Sequence, residues 1–338
     1  MKSVSVHNEW DPLEEIIVGR AEFAQFPQYD ISFHSTFYHD YTKDELPSGK
    51  VSDIIIEETN EDIQAFIDVL TKLDITVKQP DITDQSKMFS SPNWQTNGLY
   101  NYCPRDIMLA IGNRIIETPS PVRSRYFETH AYHSILMGYH NNGCQWISAP
   151  KPKLLDSLYD LNSPDLCLQN HEPVFDAANI LRLGNDLLYL VSNTGNMAGL
   201  KWLSNTLGDQ YRIHPCSNIY NHTHIDTTLI PIRPGLIIAN GERVNQDNLP
   251  TILKSWEVIY FNDIVDIGCS YGKYGCASEW IGLNLLMINP RLAIVDANQL
   301  PLMRQLNKIG VDTIPLKLRH ARSLGGSFHC ITLDVRRK

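Results

Sequence analysis

Near the C-terminal end, Ser323-Leu324-Gly325-Gly326-Ser327-Phe328-His329-Cys330 places a thiol just after a paired glycine, at the mouth of the alternating run Ile331 to Val335. Glycine lets the backbone turn where a side chain would clash. A thiol attacks carbon as its thiolate, and a free pKa of about 8.5 leaves little of that form at neutral pH. A nearby imidazole can move the protons that such an attack requires. His329 adjoins Cys330, but successive side chains of a strand point to opposite faces, so it is expected to turn away as a packed or hydrogen-bonded histidine. His224, in His222-Thr223-His224-Ile225-Asp226, is the better partner. If that segment is extended, His222, His224 and Asp226 share one face. Their His-x-His-x-Asp spacing also suits zinc, but a thiol among carboxylates favours covalent chemistry without a metal. On its own, Cys330 would be read as an inert buried cysteine; the rest of the chain changes that.

The elements that must position these residues form a repeat of apolar strand, tight turn, apolar strand, helix and strand. Hairpins are signalled where Ile107–Ile111 meets Gly112-Asn113, where Ile180–Leu183 meets Gly184-Asn185, where Leu229–Ile232 meets Arg233-Pro234-Gly235, and where Leu285–Ile288 meets Asn289-Pro290. Apolar runs split by Gly, Asn and Pro are hairpin signals. Helical stretches are expected over Met197–Leu207, Leu249–Trp256 and Leu300–Ile309, each followed by a short strand. A fifth unit comes from Leu13–Val18, a helix over Glu61–Leu73 and Ile75–Val77. Ile63, Phe66, Ile67, Leu70 and Leu73 fall on one face of that helix, the amphipathic spacing. Units that bury their faces by stacking make one body, so residues 1–338 are expected to form a single α/β domain. Its five ββαβ-like blades surround an axis, with the last strand closing on the N-terminal blade.

Polar residues recur at the start of each inner strand: Asp106, Asp176, His224 with Asp226, Ser278 in Cys276-Ala277-Ser278-Glu279, and Cys330. Each alone reads as a turn or cap residue, but equivalent positions around a pseudo-axis converge. Three aspartates in one pocket repel unless a cation joins them. A guanidinium is planar, permanently charged and held bidentately by carboxylates. The constellation points to thiolate attack on a guanidinium carbon.

Other properties bound the function. A net charge of −9 disfavours nucleic acid or an anionic membrane as the main partner, and no apolar run reaches membrane-span length. Seven cysteines with no CxxC argue against a disulfide framework or a cysteine-cornered zinc site. The N-terminal residues carry neither a signal-peptide nor a transit pattern, so a cytoplasmic location is expected.

The chain resembles the L-arginine amidinotransferases, the group of glycine amidinotransferase. The similarity rests on Asn8–Glu15, Gly98–Tyr100, Pro104–Asp106, Arg123–Glu128, Ala149–Pro152, Phe175–Ala178, His224–Asp226, Val295–Asn298 and Ser323–Cys330. The resemblance implies a five-bladed α/β-propeller, the pentein fold. It also implies a ping-pong reaction without cofactor or metal. Cys330 would attack the guanidinium of L-arginine, and His224, oriented by Asp176, would protonate departing L-ornithine. The amidino group would then pass from Cys330 to an amine acceptor. Asp106 and Asp226 would anchor the guanidinium, Arg243 and Ser278 the carboxylate, and similar enzymes are often homodimers. Two positions depart from the glycine-using members: Thr223 stands where they carry methionine, and Ala277-Ser278 replaces paired serines. The pattern is most similar to bacterial members of natural-product, saxitoxin-like toxin pathways, implying a larger amine acceptor at Thr223. Glycine as acceptor, an arginine deiminase-like hydrolase, and a binding protein on the same scaffold are the rival readings.

Overall fold

The computed structural model describes residues 3–269 and 275–338. Besides two strand pairs, Gln25–Phe26 with Gly49–Lys50 and Met88–Ser90 with Gln95–Asn97, its described strands form five three-stranded sheets. In four of them the chain runs inner strand, hairpin, middle strand, crossover, outer strand. In the third blade Ile180–Leu183 pairs antiparallel with Asp186–Leu190, which pairs parallel with Arg212–Cys216. The hairpin turns at Gly184, whose φ of 82° lies in the left-handed region that a side chain disfavours. Parallel pairing demands a long crossover, and the helix Met197–Leu207 supplies it. Asn196 caps that helix by accepting the Gly199 amide, and Leu203 and Leu207 bury its inner face.

The same order recurs in Met108–Ile111, Arg114–Glu117 and Gln145–Ser148; in Leu229–Arg233, Leu236–Asn240 and Glu257–Phe261; and in Leu286–Asn289, Leu292–Asp296 and Asp312–Leu316. The N-terminal blade is assembled from both ends of the chain. Thr332–Arg337 pairs antiparallel with Leu13–Val18, which pairs parallel with Thr76–Lys78. The ring closes through neighbouring contacts: Thr332–Arg337 meets Met108–Ile111, the second and third blades each meet the turn entering the next, the turns entering the fourth and fifth blades touch, and Leu286–Asn289 returns to Leu13–Val18. The inner strands of the second, third and fourth blades are almost wholly buried. None of the described helices is long and apolar enough to cross a membrane.

Three expectations about elements are corrected. The helix expected over Glu61–Leu73 begins at Asp53 and ends at Lys72, because Ser52 is extended and serves as its N-cap. Leu249–Trp256 contains only the 3-10 turn Thr251–Ser255. Pro250 fixes its start, and the Asn245 and Asn248 side chains bond nearby amides, competing with helix formation. Phe26–Lys50, the least regular stretch by sequence, carries the helix Ile31–Phe37, capped by Asp30. By sequence, the long segments Phe26–Lys50 and Asn262–Lys273 could each be a lid or a mere connection; residues 270–273 of the second lie outside the described residues.

Candidate active site

Four inner strands are each preceded by a short helical turn: Pro104–Ile107, Ala177–Asn179, Ile225–Thr227 and Glu279–Leu283. Asp106 lies in the first turn, Asp176 and His224 cap the next two, and Ser278 caps the fourth. Successive turns touch, so the convergence expected from the repeat is realised. Cys330 completes the circle from the tight turn ahead of Thr332–Arg337. Gly325 has φ 83°, and a Cβ on Gly326 would sit 2.5 Å from the Cys103 sulfur and 3.0 Å from the Cys330 Cβ. The paired glycine therefore makes room for the cysteine.

The structure brings Cys330, His224, Asp176, Asp106 and Asp226 together. Asp176 Oδ2 lies 3.0 Å from His224 Nε2, and Asp106 Oδ1 lies 3.5 Å from His224 Nδ1. The Cys330 thiol donates to Asp226 Oδ2 at 3.2 Å, and the Cys330 amide donates to the Asn284 side chain at 2.9 Å. All five are buried. Burial disfavours the charged imidazolium of His224, but Asp106, Asp176 and Asp226 outweigh it and raise the pKa to about 9. Burial would likewise push Asp226 up, yet His329, His224 and Cys330 bring it down to about 2. Burial and then the charges of Asp226 and Asp106 push the Cys330 thiol well above the usual range. Burial also raises Asp106, against the pull of His224 and Arg125. Among the described residues, Asp106 Oδ1 and Asp176 Oδ1 are buried acceptors without a hydrogen-bond partner. Such atoms are costly unless a donor meets them.

Arg243 and Ser278 also meet. Arg243 Nη2 donates to Ser278 Oγ at 2.9 Å, and Nη1 donates to the hydroxyls of Thr227 and Thr228 at 3.0 and 2.9 Å. The guanidinium lies 3.7 Å over the Tyr220 ring, which holds its plane in place. Arg243, Ser278, Ala277 and Thr223 line a cavity of about 670 Å³. Cys330 and His224 do not line it. Thr223 is fixed by its carbonyl, which accepts from Ser192 Oγ at 2.7 Å.

The expectation that His222 shares a face with His224 and Asp226 is corrected. The chain bends over residues 221–223, and His224 returns to an extended conformation only as the cap of the turn Ile225–Thr227. His222 instead stacks on Tyr220 and approaches Asp40. The strand alternation expected at Cys330 also fails, because the strand starts at Thr332. His329 Nδ1 therefore reaches the same Asp226 oxygen, at 2.8 Å, while its Nε2 lies 3.4 Å from Glu9. It is the hydrogen-bonded histidine expected, but placed beside the thiol.

Several positioning residues were not singled out by residue type. Arg125 donates to Asp106 Oδ2 at 2.6 Å and to both oxygens of Glu128. Burial first, and Arg125 in opposition, set the Glu128 pKa at about 7. Asn284 holds the Cys330 backbone, and Glu9 holds His329. Arg125 and Glu128, three residues apart in Arg123–Glu128, were the available signal; Asn284 offered none.

No family model matches this chain. It is 49% identical to inosamine-phosphate amidinotransferase 1 of Streptomyces glaucescens, over all of this chain and 97% of that protein. It is 36% identical to the mitochondrial glycine amidinotransferase of Gallus gallus, over 99% of this chain and 83% of that protein. Among solved structures it superposes on SxtG, an amidinotransferase of Microseira wollei in the saxitoxin biosynthetic pathway. The TM-score is 0.90 at 37% identity, covering 99% of this chain and 97% of that one.

Proposed function

Because the chain belongs to the amidinotransferase family and has its pentein fold, we propose that it takes the amidino group from L-arginine and passes it to an amine through Cys330. What carries the reading is one observation. A thiol and an imidazole share a buried pocket with three aspartates, two of which keep an oxygen without a donor. A guanidinium supplies both the positive charge and the N–H donors that this pocket lacks.

The first half-reaction follows from the charges. Bound guanidinium offsets Asp106 and Asp226, the carboxylates that hold the Cys330 proton in place, so the thiol gives up its proton to solvent and becomes the thiolate when substrate arrives. The sulfur bonds to the guanidinium carbon. His224, protonated at neutral pH by virtue of Asp106 and Asp176, donates its proton to the side-chain nitrogen as the carbon–nitrogen bond breaks, and ornithine leaves. The amidino group remains on sulfur as a thiouronium cation between the same carboxylates. An acceptor amine then attacks that carbon and gives a proton to His224; the carbon–sulfur bond breaks, and the released thiolate takes its proton back from solvent to restore the thiol. Arg243 and Ser278 hold the arginine carboxylate. Ala277 in place of a second serine removes one donor, a loss of about 0.5–1.5 kcal/mol.

The acceptor in this reading is an amine larger than glycine, belonging to a secondary-metabolite pathway. The cavity of about 670 Å³ beside Thr223 supports it. The greater identity to an inosamine-phosphate enzyme than to SxtG favours a phosphorylated amino-cyclitol over a saxitoxin precursor. Initial rates with arginine and each amine varied together test the scheme. Parallel double-reciprocal lines and amine-dependent ornithine release are expected; intersecting lines would rule out the ping-pong order.

A further inference from the structure

His222, left out of the reactive cluster, has a different set of neighbours. Its ring lies against that of His39, with centroids 4.3 Å apart and planes at 61°. Asp40 lies between them: its Oδ1 is 3.4 Å from His39 Nε2, and its Oδ2 is 4.0 Å from His222 Nδ1. One nitrogen from each imidazole and one Asp40 oxygen all fall within 4.8 Å of one another. A tetrahedral zinc with bonds of about 2.0–2.2 Å sets its ligand atoms roughly 3.3–3.6 Å apart. The existing spacing needs only small side-chain rotations to meet that shell.

The two imidazoles come from segments far apart in sequence, and each is held. His39 follows Tyr38, which is buried and hydrogen-bonded to the Cys276 sulfur at 3.1 Å. His222 stacks on Tyr220 with rings 12° from parallel, and Arg243 covers Tyr220. Two preset imidazoles with one carboxylate match the preference of zinc for nitrogen donors, and three protein ligands leave a position for water. His39, Asp40 and His222 all line the same cavity as Thr223, Arg243 and Ser278.

We propose that His39, Asp40 and His222 form a zinc site at the rim of the substrate cavity, and that zinc bound there inhibits transfer. The ion ties the segment after helix Ile31–Phe37 to the segment leading into His224. Both walls of the mouth are then fixed, and substrate exchange through it slows. The metal takes no part in the reaction, so a chelator leaves untreated enzyme unaffected.

Calorimetric titration of zinc chloride tests the site directly. The protein used is Cys330→Ser with Cys269→Ser, so that neither the reactive thiol nor the half-buried thiol at the cavity wall supplies a ligand. One equivalent should bind, and adding His39→Ala or His222→Ala should weaken binding by at least about 10–100-fold, the scale of losing ligand support. No binding, or affinity unchanged by both histidine substitutions, overturns the site. With the cysteines intact, zinc should lower turnover at least about tenfold, reversibly with EDTA, and His222→Ala should abolish that sensitivity. Equal inhibition of His222→Ala would overturn the inhibitory role. The binding measurement stands apart from the proposed reaction, since it does not depend on turnover.

Discussion

Two buried clusters of charge sit side by side in this protein, built from the same residue types but differently completed. In the first, next to the candidate active site, Glu9 and Asp334 face Arg105, Arg182 and Arg337. Asp334 accepts from all three arginines, and both oxygens of Glu9 are engaged by Arg182. The carboxyl of Asp334 is held well below the usual range, because Arg182, Arg105 and Arg337 outweigh the effect of burial. In the second, Asp106, Asp176 and Asp226 face His224, Arg125, His329 and the Cys330 thiol, and among the described residues two oxygens are left over. The difference separates structure from function. A cluster whose hydrogen bonds are complete holds blades together, whereas one short of donors and positive charge has the room for a cation that the proposed reaction calls for. His329 joins the two by bonding Asp226 on one side and Glu9 on the other.

The largest expected effect is on the incomplete cluster. Cys330→Ser should lower turnover by at least about 10⁴-fold, since an alcohol is a far poorer nucleophile than a thiolate, while unfolding stays close to that of the parent protein. Ornithine production at near-normal rates would remove Cys330 from the reaction. The complete cluster should behave in the opposite way. Asp334→Asn breaks several buried ion pairs, each removal of a buried partner costing about 3–5 kcal/mol. Denaturant unfolding should register that loss, and a stability unchanged within error would show that the network is not structural.

Asp176→Asn sharpens the contrast. It should leave the unfolding midpoint near that of the parent but cut kcat by about 10²–10³-fold, in the range of general acid–base contributions. Near-normal rates would contradict the orienting role. His224 gives a pH signature. Its folded pKa of about 9 lies above an unfolded value of about 6.5. The stability it contributes is therefore fully present below about 6.5 and is lost as pH rises through about 9. The same deprotonation should depress kcat above pH about 9, and the limb should move to lower pH in Asp176→Asn. A limb unmoved by that substitution would separate His224 from Asp176. Thr223→Met should have the smallest effect, a shift of a few-fold (~3–10) in relative kcat/KM towards small amines. An unchanged acceptor profile would show that this position does not select the acceptor.

Much of the ring was legible because hairpin chemistry is local. Gly184-Asn185 and Arg233-Pro234-Gly235 announce turns whatever surrounds them, and the inner and middle strands fall where the apolar runs placed them. The convergence of Asp106, Asp176, His224, Asp226 and Cys330 was legible for a related reason, since equivalent offsets in a repeat become neighbours. What could not be read depended on chain geometry over two or three residues. His222 leaves the site because the segment bends over residues 221–223, and His329 reaches Asp226 because the strand starts two residues after Cys330. Neither bend has a residue signature. Glu9 and Asn284 matter only through partners more than forty-five residues away, and single-sequence patterns do not carry such pairings.

The most direct test is a single turnover with arginine and no acceptor, followed by intact-mass and product measurement. One equivalent of ornithine, with an amidino group on Cys330, is the predicted result. Continuous release of citrulline, or ornithine release without a modified Cys330, would contradict the covalent transfer at the centre of this account.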